Sequence, residues 1–199
     1  MMDCLVLAAF LGNAWTAPNI LRLQRSGSAA VEFEDVTYED RSSRAPVYYG
    51  GRVGRCLPGI RWLSVEGEFV HLKTYADSSR LGAPMPHFAM SHGLNFALID
   101  VAVRVPVKRM VIALRSGVGP TIPHVETSID GMDVDAYQIG SLGWQAAGGV
   151  EVPIWTALFV MVEFKWTRTA ETLDVPGGRV TGAFSTRHLV AGVEWDLAW

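Results

Sequence analysis

The last part of the chain has a two-residue repeat of apolar side chains. From position 189 onward every second residue is apolar: Leu189, Ala191, Val193, Trp195, Leu197 and Trp199. The residues between them are small or acidic, with Val190 as the exception. A period of two with one apolar and one polar face is typical of a β-strand between two different environments. Because the repeat ends on an aromatic residue, it indicates a strand that ends at a membrane–water interface.

Composition supports one β-rich domain, residues 1–199. Hydrophobic residues make up 49% of the 199 residues, yet no run approaches the roughly 18 apolar residues of a spanning helix. The longest apolar stretch, residues 152–162, is interrupted by Pro153 and Thr156. The net charge of −3 argues against a nucleic-acid partner. Two cysteines exclude a disulfide-dense scaffold and a cysteine-based zinc cluster.

The spacing of strand-like segments predicts how the chain is organised. Eight such segments are residues 5–15, 47–57, 60–76, 93–105, 109–121, 137–152, 155–169 and 184–199. Short turns at 58–59, 106–108 and 153–154 alternate with long connections at 16–46, 77–92, 122–136 and 170–183. This alternation predicts an all-β fold, an eight-stranded antiparallel up-and-down transmembrane β-barrel of the bacterial outer membrane. Both termini then lie on the short-turn, periplasmic side. The connection 16–46 should contain a hairpin, with strands at 20–24 and 30–38.

The N-terminus has two interpretations. Residues 4–12 have the apolar character of a signal-peptide core, with a weak cleavage site at 12–14, but residues 1–3 carry no basic side chain. Alternatively, residues 5–15 are the first strand, and a signal peptide would lie upstream. The second interpretation is favoured because it gives an even number of strands.

The polar faces of the segments should enclose a crowded lumen. Alternation directs these charged side chains inward: Arg52, Arg115, Lys165, Glu66, Glu68, Glu163, Glu194 and Asp196. Because unpaired buried charge is costly, we expect ion pairs among them. Packing is favoured over catalysis for this cluster, since structural ion-pair networks resemble active sites. A filled lumen also disfavours a pore.

Cys4 and Cys56 should lie at the same end of neighbouring strands. The periplasm is oxidising, and a disulfide requires Cα atoms within about 7 Å. The register is not fixed by the sequence, so the bridged and the free states both stay open.

Several runs of residues resemble a known family. They are residues 9–15, 36–40, 46–50, 68–73, 75–77, 92–95, 117–119 and 122–126. Together they resemble the lipid A oxidase-like outer-membrane β-barrels, with a departure at Arg115, where a small Gly is usual. The resemblance implies oxidation of the proximal glucosamine of lipid A to 2-aminogluconate by molecular oxygen, and hence lipid A or lipopolysaccharide as partner. The terminal aromatic strand likewise resembles the signal read by the barrel assembly machinery during insertion.

His71 and Lys73 are the candidate substrate-binding residues. They share a face near the end of the third segment, and parity from Phe69 places that face toward lipid. At the rim of the membrane a lysine could bind a lipid A phosphate as a point charge. The alternative is a pair of long side chains that extend to the interface without a ligand.

His92, His124 and Glu126 are the candidate catalytic residues. They lie in the matching runs near long-loop ends of strands, with Asn95 beside His92 and His87 in the preceding loop. Histidines and a carboxylate at one rim could hold a divalent metal or transfer protons. The alternative is ordinary hydrogen bonding within loops, because isolated histidines are unspecific.

Three functions compete at this point. The first is a lipid A-modifying enzyme that works at the rim of the barrel. The alternative is a non-enzymatic outer-membrane barrel with a structural or ligand-binding role, and the third is a narrow pore. The sequence has no nucleophile elbow and no dinucleotide-binding fingerprint.

Overall fold

A computed structural model describes residues 4–197, which form fourteen β-strands and one short 3₁₀ turn at Ser78–Arg80. The strands are β1 (Leu5–Thr16), β2 (Asn19–Arg25), β3 (Val31–Val36), β4 (Tyr38–Glu39), β5 (Tyr49–Leu57), β6 (Ile60–His71), β7 (Thr74–Ala76), β8 (His87–Met90), β9 (Leu94–Val107), β10 (Met110–Ile129), β11 (Met132–Tyr137), β12 (Leu142–Pro153), β13 (Leu158–Val175) and β14 (Gly178–Asp196). Within these residues no helix is long and apolar enough to cross a bilayer.

Eight of these strands close into a barrel. Hydrogen-bonded neighbours run in the order β12, β13, β14, β1, β5, β6, β9 and β10, and β10 pairs with β12 to complete the circle. Every neighbouring pair is antiparallel. The predicted eight-stranded up-and-down fold is therefore confirmed, and residues 5–15 lie in its first strand.

Two of the four predicted long loops are instead strand. Residues 122–129 continue β10, and β11 returns beside them through Asp130 and Gly131, whose φ angles are 50° and 79°. Positive φ at both central residues is typical of the tight hairpin turn that Asp-Gly favours. Likewise β13 and β14 stay paired as far as Val175 and Gly178. The prediction of loops in these two connections was wrong. It relied on their polar composition, whereas the alternation of side chains continues as far as a two-residue turn in each.

The long-hairpin end carries a layer of its own above the barrel. The predicted hairpin in residues 16–46 is confirmed as β2 and β3, and β2 also pairs with the end of β14. On the other side β4, β7, β8 and β11 extend the sheet beyond β10. Apolar side chains fill the space between these extensions, among them Leu21, Leu23, Phe33, Leu72, Met85, Phe88, Val125, Leu173, Val180 and Phe184. This apolar layer closes one end of the lumen.

An apolar belt covers the outer wall of the barrel. Large exposed apolar side chains come from every barrel strand and include Leu11, Val53, Val65, Ile99, Leu114, Val150, Val162 and Leu189. A continuous exposed apolar surface of this kind fits lipid rather than water. The outward positions are those that alternation predicts, so the assignment of the two faces is confirmed.

Tryptophans mark both edges of the belt. Trp15, Trp144 and Trp166 lie toward the long-hairpin end, and Trp62, Trp155 and Trp195 lie toward the short turns. On β13, Trp166 is eight residues from Leu158, the partner of Trp195. Eight residues span about 27 Å along a strand, or roughly 20 Å across the membrane after tilt, which approaches the height of an apolar band. Trp199 lies outside the described residues.

Charged side chains fill the lumen, and Arg115 lies at the centre. Its guanidinium group contacts Glu66 at 2.9 Å, Glu151 at 2.9 Å, Glu163 at 2.5 Å and Glu194 at 3.3 Å. The Arg115 side chain is 1% exposed, so these carboxylates replace its water. The predicted pairing of Arg115 with inward carboxylates is confirmed.

Three further cations extend the same network. Arg52 Nη2 lies 2.7 Å from Glu68 and 2.8 Å from Glu163, and Lys165 Nζ lies 2.6 Å from each of these two carboxylates. Nearer the short turns, Arg104 contacts three carboxylates, which belong to Glu151, Glu194 and Asp196. Eight of the charged residues of the lumen were expected from the sequence, whereas the inward residues Asp100, Arg104, Glu151 and Glu171 were not.

The cysteines form a bridge at the short-turn end. Cys4 and Cys56 are joined by a disulfide with Cα atoms 5.2 Å apart. The peptide nitrogen of Cys56 also donates a hydrogen bond to the carbonyl oxygen of Cys4. The bridge links the start of β1 to the end of β5 across 52 residues, and the structure thus selects the bridged alternative.

We expect Arg115→Met to destabilise the barrel strongly. The substitution keeps the bulk but leaves four buried carboxylates without their shared cation, and breaking a buried pair costs about 3–5 kcal/mol. Arg22→Ala is the matched control, because Arg22 and Glu32 form a largely exposed ion pair worth at most about 1 kcal/mol. Denaturant unfolding in detergent, followed by circular dichroism, gives both free energies. Equal unfolding of the Arg115 variant and the parent would contradict the network.

Candidate functional site

A group of aromatic and polar side chains lies on the outer face of the barrel, just above the apolar belt. The following residues form it and are called the rim patch: Tyr49, His71, His92, Asn95, His124 and Tyr137. Tyr49 and Phe69 of the belt have ring centroids 6.1 Å apart, which fixes the height of the patch. Since lipid headgroups meet a barrel at this height, the patch faces the interface rather than the lumen.

His71 and Asn95 form the first half of the patch. His71 is paired in register with Tyr49, and the two rings stack at 4.7 Å. The side-chain amide of Asn95 donates to the carbonyl oxygen of Ile122, so its Oδ1 accepts from Nδ1 of His71 at 2.7 Å. Nε2 of His71 is then an acceptor, and it is buried without a hydrogen-bond partner. The arrangement holds the ring rigidly and leaves one basic nitrogen free.

Gly93 allows this half to assemble. Its φ angle is 109°, a conformation that side chains with a Cβ rarely adopt. A Cβ at this position would lie 2.6 Å from both Nδ1 of His71 and Oδ1 of Asn95. The carbonyl of Gly93 in turn accepts from the peptide nitrogen of His124 at 2.9 Å, which ties the two halves together.

His124 is the centre of the second half. Its ring meets His92 edge-on at 4.6 Å and Tyr137 at 4.4 Å. Nε2 of His124 lies 3.0 Å from Oδ1 of Asp135, while Nδ1 is buried and has no hydrogen-bond partner. A carboxylate that holds one ring nitrogen and leaves the other free is the usual support of a general base. Nδ1 of His92 lies 3.1 Å from the hydroxyl of Ser91.

Lys73 lies beside the patch but is covered. It follows β6, is buried, and donates a hydrogen bond to the carbonyl of Arg44 at 2.8 Å. Burial lowers the pKa of Lys73, and the nearby charges of Arg41 and Arg44 lower it further. Arg41 stacks over the Tyr75 ring at 4.0 Å. Arg41 also forms an ion pair with Glu39 at 2.8 Å, whereas Lys73 has a carbonyl oxygen as its hydrogen-bond partner.

Glu126 is not part of the histidine group. It follows His124 by two residues on the outer side of β10, and its Oε1 lies 3.5 Å from Nε2 of His87. Both side chains are more than 40% exposed. The structure thus brings His71, His92 and His124 to one surface and places Glu126 in a separate pair with His87.

The donor groups do not fit a metal centre. Within residues 4–197, no group of three or more histidine, cysteine, aspartate or glutamate side chains is placed to hold a metal ion. Of the residues expected to share a divalent metal, the structure brings His92 and His124 together and places Glu126 beside His87, while Asp135 lies beside His124.

Sequence reasoning missed Tyr49, Asp135 and Tyr137 as members or supports of the site. Tyr49 could have been found, because it shares the outward parity of Val53 on β5. Asp135 and Tyr137 lie on β11, where residues 122–136 were expected to be loop and residue 137 was expected to begin the next strand. Their position opposite His124 depends on the β10–β11 register.

Comparisons with known proteins agree on the architecture. No protein-family model and no curated protein sequence matches the chain. Among solved structures, the outer membrane protein OprG from Pseudomonas aeruginosa aligns with a TM-score of 0.51 and 6% identity over 100% of this chain and 97% of OprG. Neisserial surface protein A aligns with a TM-score of 0.49 and 10% identity, and Ail of Yersinia pestis with 0.39 and 10%, each over 97% of both chains. At this identity the likeness to OprG concerns the barrel fold alone.

The lowered pKa of Lys73 should make stability depend on pH. Between that pKa and the usual value of about 10.4, the unfolded chain binds more protons than the folded one, so the free energy of unfolding rises with pH. We therefore expect the parent to gain stability relative to Lys73→Met as the pH rises toward about 10.4. Lys108→Met, at an exposed turn, is the control. Parallel pH profiles for the parent and the Lys73 variant would refute the prediction.

Proposed function

We propose that this protein is a bacterial outer-membrane barrel that binds lipid A at its rim and oxidises the proximal glucosamine to 2-aminogluconate. The observation that carries the proposal is the rim patch, where His71, His92 and His124 lie together directly above the lipid-facing belt; His92 is exposed, and His71 and His124 are buried just beneath the surface. A substrate embedded in the outer leaflet meets the protein at this height. The family resemblance of the runs that contain His71, His92 and His124 supports the same activity.

The location follows from the same surfaces. The apolar belt and its two tryptophan edges fit a membrane-spanning barrel, and the fold shared with OprG supports an outer-membrane setting. Leu5 and Leu197 are joined by a backbone hydrogen bond at the short-turn end. We place this end in the periplasm and the long hairpins outside the cell, since short periplasmic turns and long outer loops are the rule for such barrels.

The residues of the patch supply binding and proton transfer. In the overall reaction the C1 hemiacetal of the sugar loses two hydrogens to molecular oxygen, which forms a lactone and hydrogen peroxide, and water then opens the lactone to the acid. His124, held by Asp135, would accept the proton of the C1 hydroxyl at Nδ1, which is buried and has no hydrogen-bond partner, so the bound sugar would have to displace the groups that cover it. His92 and Tyr137 pack against that ring and would orient the sugar.

Lys73 would recognise a phosphate of lipid A together with Arg44. Burial, and then the nearby cations Arg41 and Arg44, lower the pKa of Lys73, and a bound phosphate would place a negative charge beside its ammonium group. Glu126 and His87 lie farther along the same outer face. In this scheme they would contact the headgroup rather than the reacting carbon.

A non-enzymatic barrel is the second candidate. It is favoured because each of the two buried histidines is already held by a side chain of the protein, His71 by Asn95 and His124 by Asp135. The ion pairs of the lumen and the apolar layer above it likewise fit a structural support. In that case the rim would bind lipid or an outer ligand without changing it.

Mass spectrometry of lipid A separates the two candidates. Cells that express the protein should contain lipid A heavier by one oxygen atom than cells that lack it. His124→Ala and Asp135→Asn should abolish the gain because they remove the base or its support. Glu32→Ala, on the exposed β3 hairpin, is the control and should retain it. Folding of each variant is checked by circular dichroism.

The alanine series extends to His71, Lys73, His92 and Glu126. If the folded His92 and His124 variants still yield the heavier product, the rim patch is not the active site. If the parent leaves lipid A unchanged while lipid A still binds to it, the non-enzymatic barrel is the better account.

A further inference from the structure

A groove lies on the opposite side of the barrel from the rim patch, at the same edge of the apolar belt. It is formed by β1, β14 and β13, whereas the rim patch is formed by β5, β6, β9 and β10. The groove encloses about 510 Å³ and is lined by Trp15, Thr16, Ala17, Pro18, Phe164, Trp166, Ser185 and Arg187. None of these residues is acidic. The lining combines two indoles, one cation and two hydroxyl groups.

Strand register places Arg187 between the two tryptophans. Arg187 is the direct partner of Trp15 on one side and of Trp166 on the other, and all three side chains are exposed on the outer wall. The indole nitrogen of Trp166 donates a hydrogen bond to Oγ of Ser185 at 2.8 Å, which fixes one wall. Trp144 meets Trp166 edge-on at 4.9 Å and supports it from behind.

Two arginines beside the groove have no ion-pair partner in the described part of the chain. Among residues 4–197, neither Arg187 nor Arg168 forms an ion pair, although other exposed arginines such as Arg22 and Arg179 do. Arg168 is also exposed, pairs in register with Ser185, and lies two residues beyond Trp166 on β13. Two unpaired arginines thus flank the groove on its polar side.

The groove lies at the level where the apolar belt ends and the lipid headgroups begin. Along β14, Arg187 is followed on the same face by Leu189, which is 48% exposed, and along β13, Trp166 follows Phe164, which is 51% exposed. Arg187 therefore lies where the apolar belt ends. At this level a guanidinium can bind a phosphate in a bidentate manner while the indoles contact the first carbons below it.

We propose that this groove binds the phosphorylated headgroup of a membrane lipid, with Arg187 and Arg168 on the phosphate and Trp15 and Trp166 on either side of it. The site selects lipids that bear a phosphate monoester over zwitterionic lipids. It does not depend on chemistry at the rim patch. It would anchor an anionic lipid against the seam where β1 and β14 close the barrel.

Spin-labelled lipids test this proposal directly. The full chain is reconstituted in phosphatidylcholine bilayers with a trace of phosphatidic acid or phosphatidylcholine labelled at the same acyl carbon. Electron paramagnetic resonance then gives the fraction of each lipid immobilised at the protein. We expect phosphatidic acid to be preferred, and Arg187→Ala to reduce the preference roughly fivefold, since a basic residue near the surface contributes about that factor.

Three further variants show whether the lipid preference depends on the arginines of the groove or on net charge. Arg22→Ala removes the same charge from the β2 hairpin and should retain the preference, whereas Arg168→Ala should reduce it. Arg187→Lys should retain only part of it, because lysine keeps the charge and loses the bidentate geometry. An unchanged preference in Arg187→Ala, an equal loss in Arg22→Ala, or abolition of the preference by inorganic phosphate at millimolar concentration would overturn the proposal. Circular dichroism confirms that each variant is folded.

Discussion

The closure of the backbone hydrogen-bond ladder is the constraint on which the rest of the structure depends. Within lipid, peptide groups find no water, so each membrane strand must be paired on both edges. The β1–β14 and β10–β12 ladders meet this requirement. Once the circle is closed, alternation leaves only two places for a side chain, the lipid and the lumen. Apolar residues cover the outer wall, and the charged residues of the strands have to be accommodated inside.

The filled lumen in turn determines where function can lie. Four cations, Arg52, Arg104, Arg115 and Lys165, hold the inward carboxylates together, and the apolar layer of the long hairpins covers them. The interior thus acts as a core rather than as a passage. Groups that can meet a ligand are left at the edge of the belt, where the rim patch and the Arg187 groove lie on opposite sides.

Alternation alone predicted the fold, the two faces and most of the lumen charges. Alternation could also have predicted that Asp100 and Arg104 face inward, because Ile99, Val101 and Val105 on the same strand face outward. The two faces of β9 were not assigned from the sequence. The site was less accessible to sequence reasoning. The contact of His124 with Asp135 depends on a hairpin register, and that of His71 with Asn95 on the stagger between β6 and β9. A one-residue shift would reverse either face. The Asp130-Gly131 turn sets the β10–β11 register, whereas nothing local in the sequence sets the offset between β6 and β9.

The central claim is that the belt between the two tryptophan edges lies in lipid while the lumen stays filled. This can be tested with spin labels attached to single cysteines along the outer face of β13, at positions 160, 162, 164 and 168. Access of oxygen and of a nickel chelate to each label is measured in bilayers with the Cys4–Cys56 bridge intact. The account predicts that collisions with lipid-soluble oxygen are highest at Val162, and that a water-soluble nickel chelate reaches Arg168 but not Val160, Val162 or Phe164. Free access of the chelate to Val162 would contradict it.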